Sequence, residues 1–228
     1  IESFQGWGRI RDSQTVEVSD GGGKKQSLQA KNIMIATGSQ PSELPGLEFN
    51  GDTLISSTEA LSLERVPEKL AVIGGGYIGL EMGSVWSRLG AEVTVIEYAP
   101  MICGGMDQGT SKRLLQLLKK QGLKFHLESK VESAKIEKDG VTLTFQSLKT
   151  GETQELQADK VLVAAGRRPF TENLGLENVN LETDERGRIP VDSHFRTQAT
   201  NIYAIGDVIQ GPMLAHKAEE EGVAVAEI

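Results

Sequence analysis

The sequence has 228 residues, 38% apolar and 25% charged, enough to bury one large core or two modest ones. Its formal charge of -8 argues against a nucleic-acid partner, and no apolar run approaches the roughly 20 residues that span a bilayer. The single cysteine, Cys103, excludes an internal disulfide framework and fits a reducing compartment.

Residues 1–39 read as strands joined by tight turns. Residues 15–18 alternate polar and apolar side chains, and residues 33–36 form a short buried strand running into Thr37-Gly38-Ser39. The 41–51 segment, with two prolines and two glycines, reads as a linker. Residues 70–73 then start a strand–glycine–helix–strand series. Ile78, Met82, Val85 and Leu89 form the apolar stripe of its helix, Gly90 ends the helix, and residues 93–96 are the second strand, a βαβ unit. A second helix carries Leu114, Leu115, Leu117 and Leu118, with Gly122 as its cap. Strand-like segments follow at 124–127, 131–136, 141–145 and 160–164, and again at 189–191 and 202–205. Residues 214–228 read as a helix with Glu219, Glu220 and Glu221 on its exposed side. His126 and His194, in strand-like segments, read as structural.

Gly74-Gly75-Gly76-Tyr77-Ile78-Gly79 fits the G-x-G-x-x-G pattern. The pattern alone is weak in a glycine-rich chain, where it can be a mere turn. Its position between a buried strand and an amphipathic helix is what a dinucleotide fingerprint requires. Gly74 would make the tight turn, Gly76 would let the backbone approach a pyrophosphate, and Gly79 would allow close helix–strand packing. The pyrophosphate would then sit at the positive end of the helix dipole. Glu97 ends the next strand about 20 residues on, where its carboxylate accepts from ribose hydroxyls and repels a 2′-phosphate. Tyr98-Ala99-Pro100 follow it, with no adjacent arginine, so NAD is expected rather than NADP.

The string GGGYIGLE at residues 74–81 resembles the NAD motif of the flavoprotein pyridine nucleotide-disulfide oxidoreductases. Four other segments are similar to motifs of that family: ATGS at 36–39, AGRRP at 165–169, AIGD at 204–207 and GPMLAHKAE at 211–219. The last looks like the dihydrolipoamide dehydrogenase branch in particular. Glutathione reductases usually carry Ala where Gly79 stands and basic residues near Glu97, and mercuric reductases and soluble transhydrogenases differ over 213–219. The resemblance runs from about Gly8 to the last residue.

The resemblance implies an α/β fold. A Rossmann-like NAD-binding domain over 51–168, with its βαβ unit and a β-meander, would be flanked by pieces of a second, FAD-binding Rossmann-like domain at 1–50 and 169–228. It implies NAD contacts from Gly74, Gly75, Gly76, Tyr77, Ile78, Gly79, Leu80 and Glu81, with Glu97 on the adenosine ribose, Val131 against the adenine and Gly166 beside the nicotinamide. From sequence alone, Val131 reads as core. The implied FAD contacts are Gly8, Thr37, Gly38, Ser39, Asp207, Met213, Leu214, Ala215 and His216. Without the resemblance the alternative for Asp207 is a capping residue in a loop, and Cys103 reads as an incidental thiol. No residue here is expected to be catalytic and no metal is expected. The implied activity is oxidation of dihydrolipoyl groups, with hydride passing through FAD to NAD+. The implied partners are lipoyl domains of 2-oxo acid dehydrogenase complexes and a second copy of the chain, with neither nucleic acid nor membrane. The implied location is bacterial cytoplasm or the mitochondrial matrix. The family's first flavin fingerprint, redox cysteine pair and acid–base histidine have no counterpart in this sequence. The chain is therefore expected to be the middle of a longer protein and, by itself, a nucleotide-binding module without turnover.

Overall fold

The computed structural model describes residues 1–228 and separates them into Pro41–Gly166 and a second unit made of Ile1–Gln40 with Arg167–Ile228. In that second unit, β1 (Trp7–Asp12), β2 (Thr15–Ser19) and β3 (Lys25–Gln29) form an antiparallel meander. β4 (Ile33–Ile35) follows, and β5 (Ser39–Pro41) ends the first leg.

The Pro41–Gly166 unit is built on a five-stranded parallel sheet. Its strands are β6 (Leu54–Ile55), β7 (Lys69–Ile73), β8 (Glu92–Ile96), β9 (Lys124–His126) and, entering last, β13 (Lys160–Val163), in the order β6-β13-β7-β8-β9. The short helix α1 (Ser57–Ala60) follows β6, α2 (Tyr77–Leu89) joins β7 to β8, and α3 (Gln108–Lys120) precedes β9. The meander β10 (Ser129–Glu137), β11 (Gly140–Ser147) and β12 (Thr153–Ala158) lies between β9 and β13.

Both faces of the central strands β13, β7 and β8 are buried, which explains why these strands are mostly Val, Leu and Ile rather than alternating sequences. Leu70 and Val72 of β7, Val93 and Val95 of β8, and Leu162 of β13 pack with Leu80 and Trp86 of α2 and Leu118 of α3. Ala71 and Ile73, Ile96, and Val161 and Val163 point to the other face, where Val141, Leu143 and Phe145 of β11 cover them. β11 alternates buried and half-buried positions, as a strand with one face on a core does.

Two sequence expectations for this unit change in the structure, and two of its elements, α1 and β12, carry no expectation from the sequence. The buried face of α2 is Gly79, Leu80, Gly83 and Trp86, while Val85 and Leu89 are 48% and 56% exposed. Glycines let the helix lie close on the sheet: a Cβ at Gly79 would come 2.2 Å from the Gly74 carbonyl oxygen. An apolar-residue count misses a face made of glycine. The 41–51 segment is packed rather than loose, with Leu47 2% exposed in one cluster with Leu54 and Phe145. α1 carries a capping box in which Ser56 and Glu59 bond reciprocally, an S-x-x-E signal the periodicity does not show. β12 has no alternating apolar signature and forms by pairing with β11.

On return to the second unit, β14 (Arg167–Pro169) pairs with β5 and β15 (Ile202–Ala204) pairs in parallel with β4. Ile33, Ile35, Ile202, Ala204 and Val208 form the centre of this unit's core, and α4 (Ala215–Glu227) ends it. Residues 189–191 are not a strand: Ile189 is buried and donates to the Val208 carbonyl at 2.8 Å, but Pro190 has no N–H to continue a ladder. His194 lies in a turn, not a strand, because Asp192 Oδ1 accepts from the N–H groups of both His194 and Arg196. Glu221 is turned inward rather than exposed, accepting from the Gly206 N–H at 2.7 Å.

Candidate functional site

Strand order reverses at β7. The chain passes from β7 to β8 and β9 on one side, then returns through the meander to β13 on the other. Open α/β sheets bind ligands beyond the carboxyl ends of their strands at such a switch point, and β7 ends in the glycine motif.

The three glycines are there for different reasons. Gly74 has φ +110°, and a Cβ there would lie 2.4 Å from the Ala164 carbonyl oxygen. Gly79 is closed by the Gly74 carbonyl. Gly76 has neither constraint: its φ of -77° and ψ of 178° suit any residue, and a Cβ would meet nothing within 4 Å. Gly76 is the N-cap of α2 and makes no side-chain cap, so the first-turn N–H groups face the space its missing side chain leaves. Tyr77 and Glu81 are exposed and Ile78 half-buried, whereas the Leu80 side chain is core.

Glu97 is tied to this loop. One carboxylate oxygen accepts from the Gly75 N–H and the other from the Ala99 N–H at 2.6 Å. The Gly75 carbonyl in turn accepts from the Cys103 N–H at 2.8 Å. The Gly75 residue is therefore held on both of its peptide groups, by β8's last acid and by the 102–105 loop, where Cys103 takes a φ of 52°. Sequence reasoning missed the Cys103 contact; the paired glycines after it are its only signal. The Cys103 thiol is buried, and burial, with Glu97 nearby, raises its pKa above that of a free thiol.

A cavity of about 700 Å³ opens at these strand ends. Gly74, Glu97 and Val131 line it together, with Tyr98, Ser129 and Lys130. Val131 is thus both half-buried against the core and open to the cavity. The other residues expected along the dinucleotide lie outside this cavity lining: Gly75 to Glu81 on the loop and first turns of α2, and Gly166, with φ +133°, just beyond β13.

The other unit has its own cluster, again at parallel strand ends. β4 runs on to Thr37, Gly38 and Ser39, and β15 to the 3-10 turn Gly206–Val208. Ser39 Oγ donates to Asp207 Oδ2 and accepts from Arg167 Nε at 2.7 Å, and Arg167 Nη2 also donates to the Ser39 carbonyl at 2.7 Å. Arginine only donates and a carboxylate only accepts, so the hydroxyl's direction is fixed. Asp207 Oδ1 is left as a free acceptor. Thr37 Oγ1 donates to the Phe170 carbonyl, and Gly38 has φ +73°. Met213 is half-buried, and Leu214, Ala215 and His216 are exposed where α4 starts without a side-chain cap. Gly8 lies in β1 opposite Val18 and shares no hydrogen bond with this cluster.

A switch-strand glycine turn with an acid on the neighbouring strand end in one unit, and an acidic turn at the strand ends of the other, define an α/β dinucleotide-binding protein. The chain belongs to the pyridine nucleotide-disulphide oxidoreductase family, whose model matches residues 1–222. It is 52% identical over 228 residues to a dihydrolipoamide dehydrogenase of Chaetomium thermophilum and 49% identical over 229 residues to the human mitochondrial dihydrolipoyl dehydrogenase. Each match covers 100% of this chain and 45% of the relative, so the chain spans a little under half the length of those proteins. Among solved structures it resembles the flavoprotein disulfide reductase RclA of Escherichia coli, in its Cu(II) complex, with a TM-score of 0.86 and 28% identity, covering 97% of this chain and 49% of that one. LpdA of Mycobacterium tuberculosis matches with a TM-score of 0.86 and 27% identity, over 96% and 48% of the two chains. No helix is long and apolar enough to cross a membrane.

Proposed function

We propose that this chain is the NAD-binding region and part of the FAD-binding region of a dihydrolipoamide dehydrogenase. Gly76 carries this reading. Neither backbone nor packing requires a glycine there, so its lost side chain is explained by a group that must come close to the α2 N-terminus. Gly75 to Ile78 would hold the pyrophosphate, Glu97 the adenosine ribose and Val131 the adenine, with Glu81 and Gly166 on the nicotinamide side.

The donor set of the other unit fits a flavin. The free Asp207 Oδ1 would accept from a ribityl hydroxyl, Thr37, Gly38 and Ser39 would line its strand-end approach, Gly8 would contribute from the meander, and Met213 to His216 would bring the uncapped start of α4 to the ring. Bound, the two cofactors supply hydride and electron transfer. The chain's own part is to fix their positions and to bias charge at the flavin ring. Turnover would need a cysteine pair from outside this sequence, since Cys103 is buried and alone; by itself the chain binds nucleotide without turning over. The lipoyl domains of 2-oxo acid dehydrogenase complexes are the partners this reading implies, together with a second copy of the chain. The relatives named as mitochondrial favour the matrix over bacterial cytoplasm.

The test is to titrate NADH and NADPH by nicotinamide fluorescence. NADH is expected to bind more tightly, and Glu97→Ala to narrow the difference by removing a charged acceptor worth about 1.5–3 kcal/mol. Equal or tighter NADPH binding by the natural chain would refute the assignment.

A further inference from the structure

One ion pair on α4 grips the residue before Asp207 by both of its backbone polar groups. Lys217 and Glu221, one helical turn apart, pair at 2.8 Å with 16% and 13% of their side chains exposed. Every other ion pair of the chain has a more exposed partner. Glu221 Oε2 accepts from the Gly206 N–H at 2.7 Å, and Lys217 Nζ donates to the Gly206 carbonyl at 3.2 Å. The ring is closed: Gly206 to Glu221, Glu221 to Lys217, Lys217 back to Gly206. The helix lies directly on this glycine, whose φ is +74° and whose Cβ would meet that of Ala218 at 3.1 Å. The lysine stem also runs over Gly211, where a Cβ would sit 2.6 Å from Lys217 Cε. One side chain thus bonds the first residue of the 206–211 segment and passes close over the last, and α4 begins only a few residues later.

Stability alone does not account for this arrangement. An ion pair this enclosed gives up hydration on both charges, and apolar residues of the same size commonly replace such pairs without loss of stability. What the charges specify is geometry: an acceptor for one N–H and a donor for one carbonyl, at fixed places.

We propose that Lys217 and Glu221 are positioning residues of the flavin cradle. By clamping Gly206 they aim Asp207 Oδ1, while Ser39, itself held by Arg167, donates to the other oxygen of the same carboxylate, and they lock this turn to the segment Met213 to His216. The proposal rests on the flavin reading of Asp207. The clamp touches no flavin atom; it removes the freedom of the residues that do, so the flavin finds its acceptor already aimed.

The experiment uses the full natural polypeptide, stripped of flavin and titrated with FAD, with NADH titration as the control on the other unit. Lys217→Met and Glu221→Gln are each expected to weaken FAD binding about tenfold or more, the loss of one charged hydrogen bond. NADH affinity is expected to stay unchanged, and Lys217→Arg, which keeps the cation, is expected to retain most of the FAD affinity. Unchanged FAD binding in both Lys217→Met and Glu221→Gln would overturn the clamp. So would a loss of NADH affinity in step with FAD affinity, which marks a general structural role. Natural protein that binds no FAD would overturn the flavin reading itself, an outcome distinct from tight binding by natural protein and variants alike.

Discussion

Substituting the motif glycines one at a time separates ligand space from packing. At Gly76 a methyl group meets nothing within 4 Å and the backbone already has an ordinary φ of -77°. Gly76→Ala gains about 0.4–1 kcal/mol from a less flexible unfolded chain. It gives back roughly 1 kcal/mol, because alanine is a poorer N-cap than glycine. The net change without ligand is expected to lie within about 1 kcal/mol of zero, and Gly76→Val behaves alike. Gly79→Ala puts a Cβ at 2.2 Å from the Gly74 carbonyl oxygen, an overlap the backbone must relieve by moving. Such overpacking costs about 1–3 kcal/mol or more. Gly74→Ala adds the strain of a φ of +110° to a 2.4 Å overlap and is expected to be worse. NADH binding is expected to follow a different order. A side chain at Gly76 displaces the pyrophosphate from the first-turn N–H groups, and each lost bond to a charged acceptor is worth about 1.5–3 kcal/mol, roughly 10- to 150-fold in affinity. Thermal unfolding and NADH fluorescence titration on the same samples give both quantities. A folded Gly76→Val variant with unchanged NADH affinity would refute the reasoning, and so would Gly76→Ala destabilising the protein as much as Gly79→Ala.

The buried Cys103 thiol, held protonated by burial and by Glu97, is expected to react with a thiol reagent at mildly alkaline pH at least about tenfold more slowly in the folded protein than after unfolding in urea. Equal rates would show that the 102–105 loop opens freely. Burial lowers the pKa of His126, packed edge-on against Phe145 at 4.8 Å, below the 6.5 of a free imidazole. The unfolded chain therefore takes up this proton first as pH falls. The stability contributed by the neutral ring is complete above that value and is lost as pH drops through it toward the folded pKa. Unfolding midpoints at about pH 7 and about pH 5 are expected to fall further apart in the natural protein than in His126→Phe, where the ring packs but does not titrate. Equal differences would place the imidazole in solvent.

The βαβ unit was legible in the sequence because its signals are local. A run of apolar residues makes a strand buried on both faces, glycines make the turn at its end, and Glu97 follows at a spacing fixed by one helix and one strand. The sequence alone also pointed to NAD, since Glu97 has no arginine beside it. What it left out depends on contacts far apart in the chain. The packing face of α2 is glycine, which carries no hydrophobic signal, so the apolar stripe pointed to Val85 and Leu89, which the structure leaves exposed. β12 exists because β11 offers it a partner, and Pro190 and Asp192 turned an expected strand and a strand-placed histidine into loop. Glu97 bonding the glycine loop, Arg167 reaching Ser39 across 128 residues, and Lys217 and Glu221 closing on Gly206 are likewise absent from any local pattern. A polar side chain's partner is chosen by whatever backbone the folded chain brings within about 3 Å, and only the tertiary structure makes that choice.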